Sequence, residues 1–171
     1  MITLVSCLDM NNGIGDADND LLFDFPKDKK HFNSVTSGGI VVMGRKTWES
    51  LPKRPLAKRK NYILTRDKSF TVSNGAKVVH SIEEVLELSK SFEVFVIGGG
   101  EIYEQFLPHA DKMILTHVHV VDGRARVFFP DYDYKDWKIQ PNLTKKHLAD
   151  EKHQHDFTFA TYIRNKKEDK E

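Results

Sequence analysis

Residues 94–106 read VFVIGGGEIYEQF, an apolar β-branched run that breaks into three glycines and reopens as a helical pattern closed by Pro108. A strand delivered into a helix start through glycines is an anion-binding arrangement. Without Cβ atoms, a phosphate can lie directly on backbone N–H groups at the positive end of the helix dipole. The spacing matches neither GxGxxG nor GxxxxGK[ST], so a nucleotide bound here implies another architecture; a sharp strand-to-helix turn would use the same glycines. A second strand, ending at Met43, runs into GRKTWES, again a glycine and a helix start, with Arg45, Lys46 and Thr47 at its mouth. Two such starts in one chain favour a cofactor long enough to place a phosphate group on each. Arg45 and Arg66 both follow strand ends, where a guanidinium fork suits a phosphate monoester such as the 2′-phosphate of NADP, although solvated arginines would look the same.

Asp28 carries two readings. Three residues past a helix start at Phe25, it is where an acid stabilises the first turn. It also shares a face with Phe32 and Val35, and a desolvated carboxylate beside an aromatic wall suits a cationic, amidine-like heterocycle through paired hydrogen bonds. Spacing alone does not choose between them. Other chemistries lack their residues. His153 and His155 sit two apart without an acidic or cysteine partner at metal spacing, so no metal site is expected. No GxSxG elbow is present, and Cys7 lies within a strand with no evident base.

These residues need a scaffold, and the pattern supplies one. Residues 2–8 read as a buried strand and 9–22, rich in Asn, Asp and Gly, as a long loop of the kind that forms lids. Pro26 stands as the first residue of a helix. Strands follow at 40–43, 62–65 and 78–79, then a helix with a capping box of Ser81 and Glu84 running through Lys90. After the glycine strand and its helix come a strand over 112–121, a loop carrying Gly123 to Pro130, and a half-buried last strand marked by Phe157, Phe159, Thr161 and Ile163. Strands interleaved with short helices imply an α/β sheet, mostly parallel, with an antiparallel C-terminal edge.

The chain has 171 residues, 39% of them hydrophobic, which is enough for one domain with a real core and short for two. A net charge of +1 offers no overall footprint for nucleic acid and no polybasic membrane anchor. A lone cysteine, no signal-length apolar start, and no run approaching a membrane span predict a cytoplasmic protein that takes small ligands. Residues 165–171, NKKEDKE, read as a disordered tail.

VVMGRKTWESLP, IGGGEIYEQFLP, LTHV and FFPDY, in this order and at these separations, resemble the dihydrofolate reductase family over residues 2 to 164. The resemblance implies a single domain over residues 1–164, with a central, mostly parallel eight-stranded sheet and about four flanking helices. It implies NADPH-dependent reduction of 7,8-dihydrofolate to tetrahydrofolate, with a hydride to C6 and a water-borne proton to N5, and a monomer open to antifolate inhibitors. By position, Asp28 would pair with the pterin ring, with Thr116 hydrogen-bonding behind it. Phe32, Leu51 and Leu56 would wall the benzoyl group, and Arg59 would take the glutamate α-carboxylate. Val5, Cys7 and Ile97 would line the inner cleft. Ile14, Gly15 and Tyr103 would lie at the nicotinamide, and Gly98, Gly99, Gly100, Glu101 and Ile102 at the pyrophosphate, with a cis peptide between Gly98 and Gly99. Gly44, Arg45, Lys46 and Thr47 would bind phosphates, and Leu64, Thr65, Arg66 and His80 would lie towards the 2′-phosphate end.

Four departures stand out. Phe23 occupies the lid position where the family has Trp, which removes an indole N–H near the pterin and bears on proton delivery. The lid, DADNDLLF, is a residue longer, and Leu21, Leu22 and Phe23 lie where inhibitors would pack. In the bracing loop, GRARVFFP replaces a GD-type acid, which implies a less stable closed lid. Glu101 stands where some relatives place Arg, leaving Arg45 and Arg66 as the NADP selectors. The same fold admits a riboflavin-pathway pyrimidine reductase, against which Arg59 beside Leu56 argues, and a non-catalytic folate- or NADPH-binding component.

Overall fold

The computed structural model describes residues 1–73 and 75–166. Its elements are β1 (Ile2–Leu8), β2 (Gly13–Gly15), α1 (Pro26–Thr36), β3 (Ile40–Gly44), α2 (Arg45–Ser50), β4 (Lys60–Leu64), β5 (Lys77–Val79) and α3 (Ile82–Ser89). There follow β6 (Val94–Val96), α4 (Gly100–Phe106), β7 (Lys112–Val118), β8 (Val127–Phe128), β9 (Trp137–Ile139), β10 (Lys145–His147) and β11 (Phe157–Arg164). Eight strands form the main sheet in the order β10-β11-β7-β1-β6-β3-β4-β5. Pairing is parallel from β7 to β5 and antiparallel where β11 meets β7 and β10. The short β9 pairs with the far half of β11, adding a ninth strand to the expected eight.

The period of two explains the layers. Along β1, β3, β6 and β4, residues Leu4, Val42, Val96 and Leu64 enter one core cluster, whereas Val5, Val41, Phe95 and Ile63 enter another. The first cluster takes Val85 of α3 and Ile102, Tyr103 and Phe106 of α4. The second takes Trp48 of α2 and, at its edge, Phe32 and Val35 of α1. The apolar stripe expected on α1 therefore packs where its spacing directs it, and Asp28, on the same stripe, is carried to the end of the sheet.

Three local details depart from the sequence reading. The loop after β1 contains β2, which pairs antiparallel with β8 from the loop after β7. The strand expected over 112–121 stops at Val118, where a turn brings the Val120 carbonyl to accept from Met10 N. Asn165 is held by hydrogen bonds to the carbonyls of Asp136 and Lys135, so the expected tail does not begin there; residues 167–171 lie outside the described residues.

Candidate active site

A cleft of about 960 Å³ opens at the C-terminal ends of the parallel strands, where open α/β sheets place ligands. It takes in the ends of β1, β3, β4 and β6, the start of α1, both glycine turns and the lid. Every site residue expected from the sequence lines it except Arg59.

At the inner end, β1 and β7 pair with Cys7 opposite Thr116. Thr116 Oγ1 donates to Asp28 Oδ1 at 2.6 Å. Burial raises the Asp28 carboxyl above its ordinary value, opposed by the hydrogen bond from Thr116, by the nearby His31 and by the Cys7 thiol. The same burial, with the Asp28 charge beside it, pushes the Cys7 thiol well up and out of nucleophile chemistry. Val5, Ile97, Ile114, Phe32, Leu51 and Leu56 supply apolar walls. The result is a flat apolar slot with one carboxylate at its closed end.

α1 reaches this position through a device absent from the local sequence pattern. Its N-cap, Phe25, offers no side-chain bond, but the backbone N–H of Lys27 is accepted by Nε2 of His153, 2% exposed, whose Nδ1 donates to Asp150 at 2.7 Å. A histidine more than 120 residues away thus caps the helix that carries Asp28. His31, also missed, lines the cleft and stacks at 4.0 Å on Phe159, the register partner of Thr116. Its place at i+3 from Asp28 was the available signal.

At the outer end, the two glycine turns meet. Gly44 N donates to the Gly98 carbonyl at 2.8 Å, and the Gly98–Gly99 peptide is cis. Side chains have little room at three of these glycines. A Cβ on Gly44 would stand 2.9 Å from Ile102 Cγ1, one on Gly100 would stand 2.9 Å from the Phe128 carbonyl oxygen, and Gly98 has φ +118°. Neither α2 nor α4 has a side-chain cap, so no side chain takes the first amides of either helix, which border the cleft beside Thr47; in α4 the Ile102 amide already bonds the Gly99 carbonyl. Tyr103 fixes the junction by donating its hydroxyl to the Val5 carbonyl at 2.6 Å.

The two expected arginines are not equivalent. Arg45 is engaged by Glu49 at 2.8 Å and Asp67 at 3.0 Å and lies over Phe70. Arg66 and Lys46 line the cleft, and neither enters an ion pair among the described residues. His80 donates through Nδ1 to the Thr65 carbonyl, leaving Nε2 as an acceptor at that end.

Arg59 sits just behind the apolar wall. Its Nη2 donates to Asn33 Oδ1 at 2.8 Å and its guanidinium lies 5.5 Å from the Phe32 ring centre, but Nε and Nη1 are buried without a partner. Burial lowers its pKa from the ordinary value. A half-buried guanidinium with two unmet donor nitrogens has the chemistry to take a carboxylate.

The lid is braced at several points. Asp9, 1% exposed, accepts from the backbone N–H groups of Asn11, Gly13 and Asp122. Arg126 N donates to the Gly15 carbonyl at 2.8 Å. Arg124, forked on Asp122, donates through Nη2 to the Leu22 carbonyl at 2.9 Å, so the GRARVFFP loop replaces an acid with a cationic clasp. The lid closes into a turn in which Asp16 Oδ1 accepts from Asp18 N and Asp20 N. Phe23 and Leu21 line the cleft; Leu22 does not, being buried with Phe25, Val118 and Phe157.

A family model described as dihydrofolate reductase matches residues 1–164. Dihydrofolate reductase of Bacillus subtilis is 38% identical over 165 residues, covering 95% of this chain and 94% of the relative. Dihydrofolate reductase of Staphylococcus aureus is 37% identical over 167 residues, covering 96% and 99%. Among solved structures, dihydrofolate reductase from Enterococcus faecalis, complexed with NADP(H) and RAB-propyl, superposes with a TM-score of 0.87 at 30% identity, covering 97% of each chain.

Proposed function

The chain belongs to the dihydrofolate reductase family, and from that premise we infer that it reduces 7,8-dihydrofolate to 5,6,7,8-tetrahydrofolate with NADPH. The observation that carries the reading is one cleft that joins a carboxylate-ended apolar slot to a glycine shelf of free amides.

The residues at the shelf fit NADPH. The backbone floor has no space for a Cβ at Gly44 or Gly100, and uncapped amides, Thr47, Lys46 and Arg66 answer a diphosphate and a phosphate monoester. Ile14, Gly15 and Tyr103 would border the nicotinamide. When bound, the cofactor supplies the hydride that reduces C6 of the pterin.

The chain's own part is orientation and electrostatics. Asp28 would accept hydrogen bonds from the N–H donors of the pterin, held in place by Thr116 and strengthened by exclusion of water from the slot. Phe32, Leu51 and Leu56 would fix the benzoyl ring, and the unmet donors of Arg59 would take the α-carboxylate. Holding two flat rings in contact lowers the entropic barrier to transfer. Phe23 contributes apolar wall and no donor, and Asp28 is held by Thr116 rather than free to travel, so the N5 proton comes from water past the lid. Asp28 polarises the ring without delivering that proton itself.

We place the enzyme in the cytoplasm as a monomer of a single domain, of which the family match covers residues 1–164. No helix among the described residues is long and apolar enough to cross a membrane. The test is loss of NADPH absorbance with purified protein and dihydrofolate, run against NADH and against a no-folate control. Folate-dependent oxidation favouring NADPH is expected. Bound NADPH without oxidation would overturn the reading in favour of a non-catalytic component.

A further inference from the structure

Four side chains close a frame behind the slot. Asp28 and His31 stand at i and i+3 on one face of α1, and Thr116 and Phe159 are register partners across β7 and β11. Thr116 holds Asp28 through its hydrogen bond, and Phe159 holds His31 by a near-parallel stack, with 4.0 Å between ring centres and 15° between planes. One residue pair of the sheet thus fixes two neighbours on the helix. Asp28 and His31 both line the cleft, and His31 Nε2 is buried without a hydrogen-bond partner among the described residues. An imidazole clamped beside a buried carboxylate, with a ring nitrogen left over, is placed to share its proton.

Two opposed pulls act on that ring. Burial disfavours its protonated form, and the Asp28 charge favours it. The other charges of this layer gather further out. His147 of β10 stacks at 5.1 Å on Phe157, where Lys27, Lys145, His153 and His31 all discourage a charge on it. Asp150 is taken up by His153 at 2.7 Å and Lys27 at 3.7 Å, and at the cleft mouth Asp24 and Lys29 hold each other. On the side of β1, Asp28 meets the Cys7 thiol, whose pKa burial raises. Of the imidazoles laid on Phe157 and Phe159, His31 is therefore the one that answers the carboxylate of the slot.

We propose that His31 is a positioning residue for Asp28: a proton gained on its clamped ring sets a cation beside the carboxylate and keeps it ionised, so the slot goes on holding the substrate's N–H donors in mild acid. The inference rests on the reading given under Proposed function. In neutral solution the ring is uncharged and contributes packing. As pH falls, a proton that would otherwise neutralise Asp28 finds a competing place three residues away. The two groups then titrate as a pair, and the pull is mutual.

Dihydrofolate affinity, read by quenching of tryptophan fluorescence from about pH 5 to about pH 9, tests the substrate side. The proteins compared are the wild type, His31→Phe, which keeps the stack, His31→Gln, which keeps polar atoms, and His147→Gln. In both His31 variants the acid-side fall should move up by about half a pH unit, which costs about threefold in affinity on that limb. Affinity on the neutral side should change less, and His147→Gln should follow the wild type. Nuclear magnetic resonance reads the pair without substrate: the His31 ring should titrate at lower pH in Asp28→Asn than in the wild type, by about the same half unit. An acid-side fall that stays in place, an even loss at every pH, or the same His31 titration with and without the Asp28 charge overturns the proposal. A coupled His31 titration in a protein that binds no dihydrofolate would overturn the underlying reading instead.

Discussion

Thr116 and Asp28, on a strand and a helix 88 residues apart in sequence, share a 2.6 Å hydrogen bond in which the hydroxyl donates to the carboxylate. The donor has only this orientation to offer a carboxylate, so it favours the ionised form against the burial that opposes it. The site therefore holds a charge the fold would otherwise suppress.

Asp28→Asn should reduce kcat/KM for dihydrofolate about a hundredfold or more at neutral pH, the scale of losing a charge-assisted paired contact. NADPH affinity, measured by fluorescence titration, should hold. Equal losses of both would remove the assigned role. Stability should move the other way. The folded pKa of Asp28 is raised, so the folded state binds its proton more tightly and stability falls as pH rises from the ordinary carboxylate value through the raised one. The asparagine variant should melt higher at neutral pH, with the gap closing in acid.

Thr116→Val removes a bond that lowers the Asp28 pKa, so that pKa should rise further. In the pH profile of substrate affinity, the acid-side fall should shift to higher pH, while the plateau well above it changes less. A profile lowered evenly at all pH values would instead mean that Thr116 only packs.

Much of this arrangement was legible in the chain. Alternation within β1, β3, β4 and β6 sends neighbours such as Leu4 and Val5 to opposite cores, and the two glycine turns mark the shelf. Local signals stop where distant partners decide. The His153 cap, the pairing of β2 with β8 and the clasp from Arg124 to Leu22 each join residues about 100 or more positions apart. In the lid, no period tells that Leu22 turns inward while Leu21 remains 77% exposed. Of the two carboxylates that hold Arg45, Asp67 is 22 residues on and hidden from local pattern, whereas Glu49 at i+4 was a local signal.

His153→Phe preserves aromatic packing against Phe25 and Phe157 but leaves Lys27 N–H unpaired. Losing a helix cap costs about 1 kcal/mol, roughly 2–4 °C in melting temperature for a chain of this size. Because the capped helix carries Asp28, KM for dihydrofolate should rise with it while NADPH affinity does not change. Calorimetry alongside steady-state kinetics checks both, and an unchanged melting temperature would remove the capping role.

Arg124→Ala releases the Leu22 carbonyl and leaves the Asp9 contacts intact. NADPH should dissociate faster by roughly two- to fivefold, the range a single exposed charged contact supports, with little change in melting temperature. Arg124→Lys can still reach a carboxylate but loses the fork that serves Asp122 and Leu22 together, so it should fall between the two. Stopped-flow release with a trapping nucleotide reads the rates, and identical rates for all three proteins would mean that the clasp does not govern the lid.

Cofactor selectivity separates the two arginines. Arg66 lines the cleft with no ion pair among the described residues, whereas Arg45 is divided between Glu49 and Asp67. A phosphate monoester approaching Arg45 must compete with two carboxylates, one of which also lines the cleft. Arg66→Gln should therefore cut the preference for NADPH over NADH by about tenfold or more, as expected for losing a charged hydrogen bond. Asp67→Asn should raise the preference, since it removes a competing charge while keeping an acceptor for Ser69. The ratio of kcat/KM for the two cofactors decides it: a drop in the Asp67→Asn variant would mean that the carboxylate orients Arg45 for the phosphate and does not compete with it.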